Sequence, residues 1–407
     1  MFNKLHISKS FAFYLLLVLA PIDIVLHFIG FDNIVIFFVA AIALIPLAKL
    51  IGDSTEHLSQ YYGPTAGSLL NVTFGNSAEI IISIVAISNG LVDLVKASIT
   101  GSILGNILLV FGLSLIVAGI FEKNKEQSFN RHNSSIQTSM LFLAIIGLAV
   151  PTILSNTVLK PTAAMIAIAD DHQAKIQVLS DIVALLLLSA YVAGIIFTFF
   201  THNQLFKYSN REPKRGSEAT IQEQKKEEYS EKTNDTKKRR KGDSIRRFHS
   251  GLVWNKKISF IVLGASMVGV VAVSEILVDT VESTTRRFGF GKLFVGAIIV
   301  GIAGNAAEHS SAIMLARKGK LELSIGIAAG SGTQVALFVV PTLVIAGLLM
   351  NHRFTLVFTV FELIAVFLGA IILSLIAHDG KSNWFEGFML TIVYIINNIL
   401  IVRYLRY

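Results

Sequence analysis

The chain has 407 residues, of which 53% are hydrophobic and only 15% charged, and its mean hydropathy is +0.65. Soluble domains seldom reach such values, whereas bundles of membrane-spanning helices do, so an ordinary water-soluble module is excluded. Cysteine is absent, which removes disulfides, thiolate metal sites and cysteine nucleophiles, and the formal charge of +8 is concentrated in one stretch.

A spanning helix needs about 20 mostly apolar residues. On that rule about eleven spans are predicted, at 11–29, 33–56, 67–89, 95–120, 136–155, 179–202, 257–281, 292–316, 321–349, 354–377 and 384–405. The first follows Lys4 and Lys9, carries Asp23 and His27, and lacks a small-x-small cleavage pattern. It is read as a retained helix rather than a signal peptide. Residues 1–32 thus form an extra N-terminal unit, and residues 33–202 carry five further spans. Residues 203–256 read as a linker, rich in Lys, Glu, Ser and Gln and poor in large aliphatics. Residues 257–407 carry the last five spans.

Sixteen Lys and Arg residues lie between Lys207 and Lys257. Nucleic-acid binding is one reading of such a run, but a solvated cytoplasmic loop obeying the positive-inside rule accounts for it. No nucleic-acid partner is expected. A cytoplasmic N-terminus places Lys123, Lys125, Arg131, the basic linker, Arg317, Lys318, Lys320 and Lys381 on the cytoplasmic face. Arg286, Arg287 and Lys292 run against that trend. Because each half holds an odd number of spans, the halves enter the bilayer in opposite directions. The expected fold is therefore an all-α polytopic membrane protein, an extra helix followed by two inverted five-helix repeats.

One polar phrase recurs within this apolar background. Gly75-Asn76-Ser77-Ala78-Glu79 is followed by Gly101-Ser102, and Gly304-Asn305-Ala306-Ala307-Glu308 by Gly330-Ser331. Glu79 and Glu308 are 229 positions apart, and the paired glycines and serines keep that offset. Glu79 falls about 12 residues into its expected span, some 18 Å deep at about 1.5 Å per residue, close to the bilayer midplane. Glu308 falls at comparable depth. An ionisable residue there marks a functional site by default, and matched sites in two halves are the pattern of an inverted-repeat transporter. Gly75 and Gly304, one turn before each glutamate, are expected to loosen the helix and free backbone carbonyls.

Two carboxylates, amide oxygens, carbonyls and water make an all-oxygen set suited to a hard cation such as Ca²⁺, and no histidine pair favours a softer metal. The same carboxylates also bind protons, so protons and a divalent cation compete for them. Bland alternatives stay open for the neighbours. Asn76 and Asn305 also suit helix–helix hydrogen bonding, Ser102 and Ser331 suit close packing, and His309 suits a satisfied interior position.

The motifs resemble those of the calcium/proton exchangers in the cation/Ca²⁺ exchanger superfamily. The likeness rests on both Gly-Asn-x-x-Glu copies, on His309, on Gly330-Ser331 through Gln334 to Phe338, on Leu70 to Asn76, and on Thr55-Glu56. It covers residues 33 to 405. The resemblance implies Glu79 and Glu308 as the pair that binds Ca²⁺ or protons. It implies Gly75, Asn76, Gly304, Asn305, Ser102, Asn106, Ser331 and Gln334 as supporting ligands, and Glu56 and Glu282 as acids at the ion's entry. His309 is a candidate for proton handling. Asn106 and Gln334 miss the 229 offset by one residue, so the half-sites are expected to differ. The implied cargo is Ca²⁺ and H⁺, with Mn²⁺ a second candidate, and no cofactor is expected. A prokaryotic plasma membrane and a eukaryotic vacuolar membrane both suit the topology. The rivals are a Na⁺-driven Ca²⁺ exchanger or another cation/H⁺ antiporter, a channel, and an intramembrane hydrolase. A hydrolase would call for paired Asp rather than Glu.

Overall fold

The computed structural model describes residues 15–121, 127–157, 169–202, 254–289 and 291–404. Most of the expected basic linker lies outside the described residues, as does the start of the first expected span. Among the described residues the elements are α1 (Leu19–Phe28), α2 (Asn33–Gly75), α3 (Ser77–Ser88), α4 (Val92–Phe121), α5 (Arg131–Thr157), α6 (Ala169–Ile196), α7 (Lys256–Phe288), α8 (Val295–Arg317), α9 (Leu321–Leu349), α10 (Val360–Ala377) and α11 (Trp384–Tyr404). Two short strands, β1 (Gln127–Ser128) and β2 (Lys381–Ser382), pair antiparallel between α4 and α5 on one side and α10 and α11 on the other.

Eight of these helices are long and apolar enough to cross a membrane. The other three expected spans appear as the shorter apolar helices Leu16–Phe28, Ser77–Ser88 and Trp384–Ile399. The expected span at 67–89 is not one helix. Helical winding continues from α2 through Gly75 and breaks at Asn76, whose backbone leaves the helical region (φ −91, ψ 10) before α3 begins. A straight helix of 43 residues would be about 64 Å long at 1.5 Å per residue, twice the hydrocarbon thickness. The helix is therefore longer than a single crossing needs.

The packing is reciprocal between the halves. α2 lies along α7; α3 packs on α7 as α8 packs on α2; α4 packs on α11 as α9 packs on α6; α5 packs on α10. The α2–α7 pair is antiparallel and tied at both ends. Arg287 reaches Asp32 at 2.7 Å at one end, and Tyr61 donates to the Trp254 carbonyl at 2.9 Å at the other. The Ile34 backbone N–H and the Arg287 guanidinium hold the Asp32 carboxyl below the ordinary carboxylate range. Arg286 pairs with Glu282 at 2.9 Å. Both arginines that ran against the charge asymmetry are thus matched by acids.

Inside this frame α4 and α8 touch backbone to backbone. A Cβ at Gly101 would stand 2.0 Å from the Ala297 carbonyl oxygen, a distance only glycine permits. Three π-helical turns interrupt the buried helices, at Gly105–Val110, Val295–Val300 and Val335–Val339. Such insertions recur at functional sites because they redirect side chains and free carbonyls. The segment between α9 and α10 is extended, with Phe354, Leu356 and Phe358 buried. Its backbone is held by side chains from three helices: Ser180 on Leu356 N (3.0 Å), Thr152 on Phe358 N (3.0 Å) and Lys96 Nζ on the Val357 carbonyl (2.6 Å). α10 then opens with a capping box between Thr359 and Glu362.

Candidate ion-binding site

The two polar phrases meet. Glu79, in the first turn of α3, is buried, and its Oε1 accepts hydrogen bonds from the Ser102 hydroxyl of α4 and the Asn305 amide of α8. Asn305 also donates to Ser102 Oγ at 3.0 Å and to the Gly301 carbonyl at 3.1 Å. Ser102 therefore receives from an amide and gives to a carboxylate, which fixes the direction of its O–H.

The second half repeats the arrangement with different partners. Asn106 donates to Ser331 Oγ at 3.1 Å, and Ser331 lies within the electrostatic reach of Glu308. His309 Nε2 lies 3.1 Å from Asn106 Oδ1. An amide oxygen only accepts, so the proton sits on Nε2 and the chain of hydrogen bonds runs from His309 through Asn106 to Ser331, near Glu308. Asn76 donates to Gln334 Oε1 at 2.9 Å, bridging the halves on another line. The one-residue register difference between Asn106 and Gln334 accompanies the π-turns, since Asn106 lies inside one and Gln334 just before the other.

The glycines act differently from expectation. At Gly75 the helix does end, but Gly304 lies inside the uninterrupted helix Gly301–Arg317. What the two share is close approach. A Cβ on Gly75 would come within 3.0 Å of Glu308 Oε1, and one on Gly304 within 3.1 Å of Glu79 Cγ. Each half supplies the notch that accommodates the other half's acid.

Three oxygens in this cluster, Glu79 Oε2, Glu308 Oε2 and Asn76 Oδ1, are buried without a hydrogen-bond partner. Buried polar atoms normally find partners, because leaving one unpaired costs about 1–3 kcal/mol. Two carboxylate oxygens and an amide oxygen left over together form a hard donor set for a cation, and two of the three can hold a proton instead.

Glu56 and Glu282 are not in this cluster. Both are exposed, and the antiparallel α2–α7 pairing puts them toward opposite ends of that pair. Sequence reasoning did not single out Glu362, which is buried beside Thr100 of α4 and within the electrostatic reach of Lys96. The Thr359-x-x-Glu362 spacing before an apolar run was the available signal, since it marks a capping box. Asp23 of α1, a polar residue in an apolar span, is fully buried, and among the described residues neither of its oxygens is partnered.

A multi-pass helical protein with a shared acidic centre between two matched halves is the architecture of a secondary transporter. The sodium/calcium exchanger protein family matches residues 33–200 and 258–403, and the chain belongs to that family. It is 36% identical over 393 residues to a Ca²⁺/H⁺ antiporter of Aphanothece halophytica, covering 96% of each chain. Over 380 residues it is 36% identical to the Ca²⁺/H⁺ antiporter ChaA of Bacillus subtilis, covering 92% of this chain and 94% of the relative. With vacuolar cation/proton exchanger 3 of rice, Oryza sativa, it shares 33% identity over 382 residues, covering 94% and 83%. Among solved structures, native YfkE superposes with a TM-score of 0.72 at 33% identity, covering 96% of this chain and 99% of that one. The H⁺/Ca²⁺ exchanger CAX, at 15% identity and a TM-score of 0.65, shares the fold and covers 97% and 91%.

Proposed function

We propose that this protein is a secondary antiporter that exchanges Ca²⁺ for H⁺ by alternating access, with Glu79 and Glu308 at a midplane site that holds either ion. The observation that carries the reading is the trio of buried, unpartnered oxygens on Glu79, Glu308 and Asn76. They sit where two repeats converge, in a chain whose relatives are named as antiporters and exchangers. Ca²⁺ takes 6–8 oxygens, so the glutamates need help. Asn76, Gln334 and water are the supporting oxygens on this reading. Ser102, Asn305, Asn106 and Ser331 orient the carboxylates by donating to them or to each other.

Exchange follows from the shared oxygens. When Ca²⁺ leaves, the carboxylates left in a dry, low-dielectric setting take up protons; when Ca²⁺ arrives, its charge expels them. Neither traverse then carries two bare negative charges through the membrane interior. His309 acts at one remove, setting Asn106 and through it the Ser331 hydroxyl near Glu308. In this reading the halves are inverted repeats, residues 33–202 and 257–407, and the N-terminus and basic linker face the cytoplasm. Glu56 and Glu282 collect the cation at opposite mouths.

The test is ⁴⁵Ca²⁺ uptake by the purified protein in proteoliposomes with an imposed pH gradient, with and without Na⁺. Uptake driven by the pH gradient alone is expected. Uptake that follows a Na⁺ gradient and ignores pH would overturn the proton coupling and leave a sodium-driven exchanger in its place.

A further inference from the structure

Away from the acidic centre, α5 and α10 enclose a crevice of about 150 Å³ at the end of the molecule where β1 pairs with β2. That is room for several waters at about 30 Å³ each. Its polar lining is Arg131, Ser135, Thr138 and Ser139 from α5, facing Ser374 and His378 from α10, and Phe142 closes the apolar end.

Among the described residues, four of these six polar side chains are uncommitted. Arg131 is exposed at the first turn of α5 and forms no ion pair among the described residues. The Thr138 and Ser139 hydroxyls are spent on the carbonyls of Ser134 and Ser135, each at 2.8 Å. Among the described residues, Ser135 and Ser374 have no such bond for their hydroxyls. The acid closest in sequence, Asp379, accepts from the Lys381 backbone N–H at 2.9 Å within its own turn and does not line the crevice. Among the described residues, a guanidinium, an imidazole and two hydroxyls line the crevice with no carboxylate beside them. The chemistry that matches is a phosphate oxyanion, further favoured by the positive end of α5.

The surroundings identify the source of that phosphate. On the same two helices, Leu143, Ile146, Phe367, Leu368 and Leu375 are exposed apolar residues, deeper along α5 and α10 than the charged mouth. A phosphate at Arg131 and His378 would leave its acyl chains lying on that surface. From these observations we infer that the α5–α10 crevice is a binding site for the headgroup of an anionic phospholipid. The site has a route to the acidic centre: Thr333 of α9, beside Gln334, donates to the Gln137 carbonyl of α5 at 3.2 Å. A lipid seated on α5 steadies the helix that touches α9 next to the candidate ion site. The inference does not depend on which ion is carried.

The test is native mass spectrometry of the full-length protein in neutral detergent, after exposure to phosphatidylglycerol or phosphatidylcholine, with millimolar inorganic phosphate as competitor. Wild type is expected to retain one phosphatidylglycerol in preference to phosphatidylcholine. Arg131→Gln with His378→Gln should weaken that retention by about tenfold, as loss of charged hydrogen bonds would. Each single variant, checked for a monodisperse gel-filtration profile, should show a smaller loss and serves if the double variant fails to fold. Displacement of the lipid by inorganic phosphate would overturn the lipid as occupant. Equal retention by wild type and variants, or no preference for the anionic lipid, would overturn the site.

Discussion

Glu79 and Glu308 are alike in sequence context and unlike in their surroundings. Glu79 has a hydroxyl and an amide on one oxygen, whereas Glu308 has a serine set by a longer relay from His309. Under the proposed mechanism, Glu79→Gln and Glu308→Gln should each abolish ⁴⁵Ca²⁺/H⁺ exchange while leaving a monodisperse, helical protein; near-normal flux in either would remove that residue from the site. The notches make a finer prediction. Gly304→Ala places a methyl 3.1 Å from Glu79 Cγ, and Gly75→Ala places one 3.0 Å from Glu308 Oε1. Each should raise the half-saturating Ca²⁺ concentration by about tenfold, or about 1.4 kcal/mol, measured in the same vesicles, because coordination tolerates little displacement of a ligand oxygen. The pairing of the two phrases was legible, since only their spacing and chemistry were needed. The cross-reach of each glycine to the other half's glutamate was not. A glycine before an acid reads locally as a helix breaker, and whether it is instead a close-approach point depends on a helix more than two hundred positions away.

At the scale of elements, the extended segment between α9 and α10 is the least regular part of the buried interior, and it survives because side chains replace the missing backbone partners. Lys96 is central to it, its ammonium on the Val357 carbonyl and its charge near Glu362. Lys96→Met keeps the aliphatic stem and removes both. Thermal unfolding in detergent should show a loss of about 1–3 kcal/mol, and an unchanged melting temperature would mean that the strap is held elsewhere. The apolar runs located most helices. They read 67–89 as one helix because hydropathy reports burial in lipid and carries no sign of the backbone break at Asn76, whose side chain bonds Gln334. Residues 354–359 fall inside the expected span 354–377 for the same reason: Phe354, Leu356 and Phe358 are apolar whether the chain is coiled or extended.

For the whole molecule, the proposed exchange predicts a pH dependence with a definite sign. Protons and Ca²⁺ compete for the same carboxylates, so acidifying the side from which Ca²⁺ binds should raise its apparent half-saturation. The rise is bounded by about tenfold per pH unit for each proton displaced, and the maximum rate should change less. Flux measured from pH 5.5 to 8 with no such displacement would count against shared ligands. The packing of α2 on α7, α4 on α11 and α9 on α6 joins the stretches that carry the two repeated phrases, and their common offset was the sequence signal for such a meeting.

The exchanged notches have a consequence for how the molecule can be taken apart. Neither half owns a finished acid site, because the space for Glu79 is cut into α8 and the space for Glu308 is cut into the end of α2. The chain should therefore behave as an obligate partnership. Severed within residues 203–253, either fragment made alone should carry no Ca²⁺, and the two fragments made together should complement one another and recover proton-driven uptake. Activity in a lone fragment would show that one half suffices, and failure of correctly inserted fragments to complement would show that the linker rather than the interlocking glycines makes the two halves one transporter.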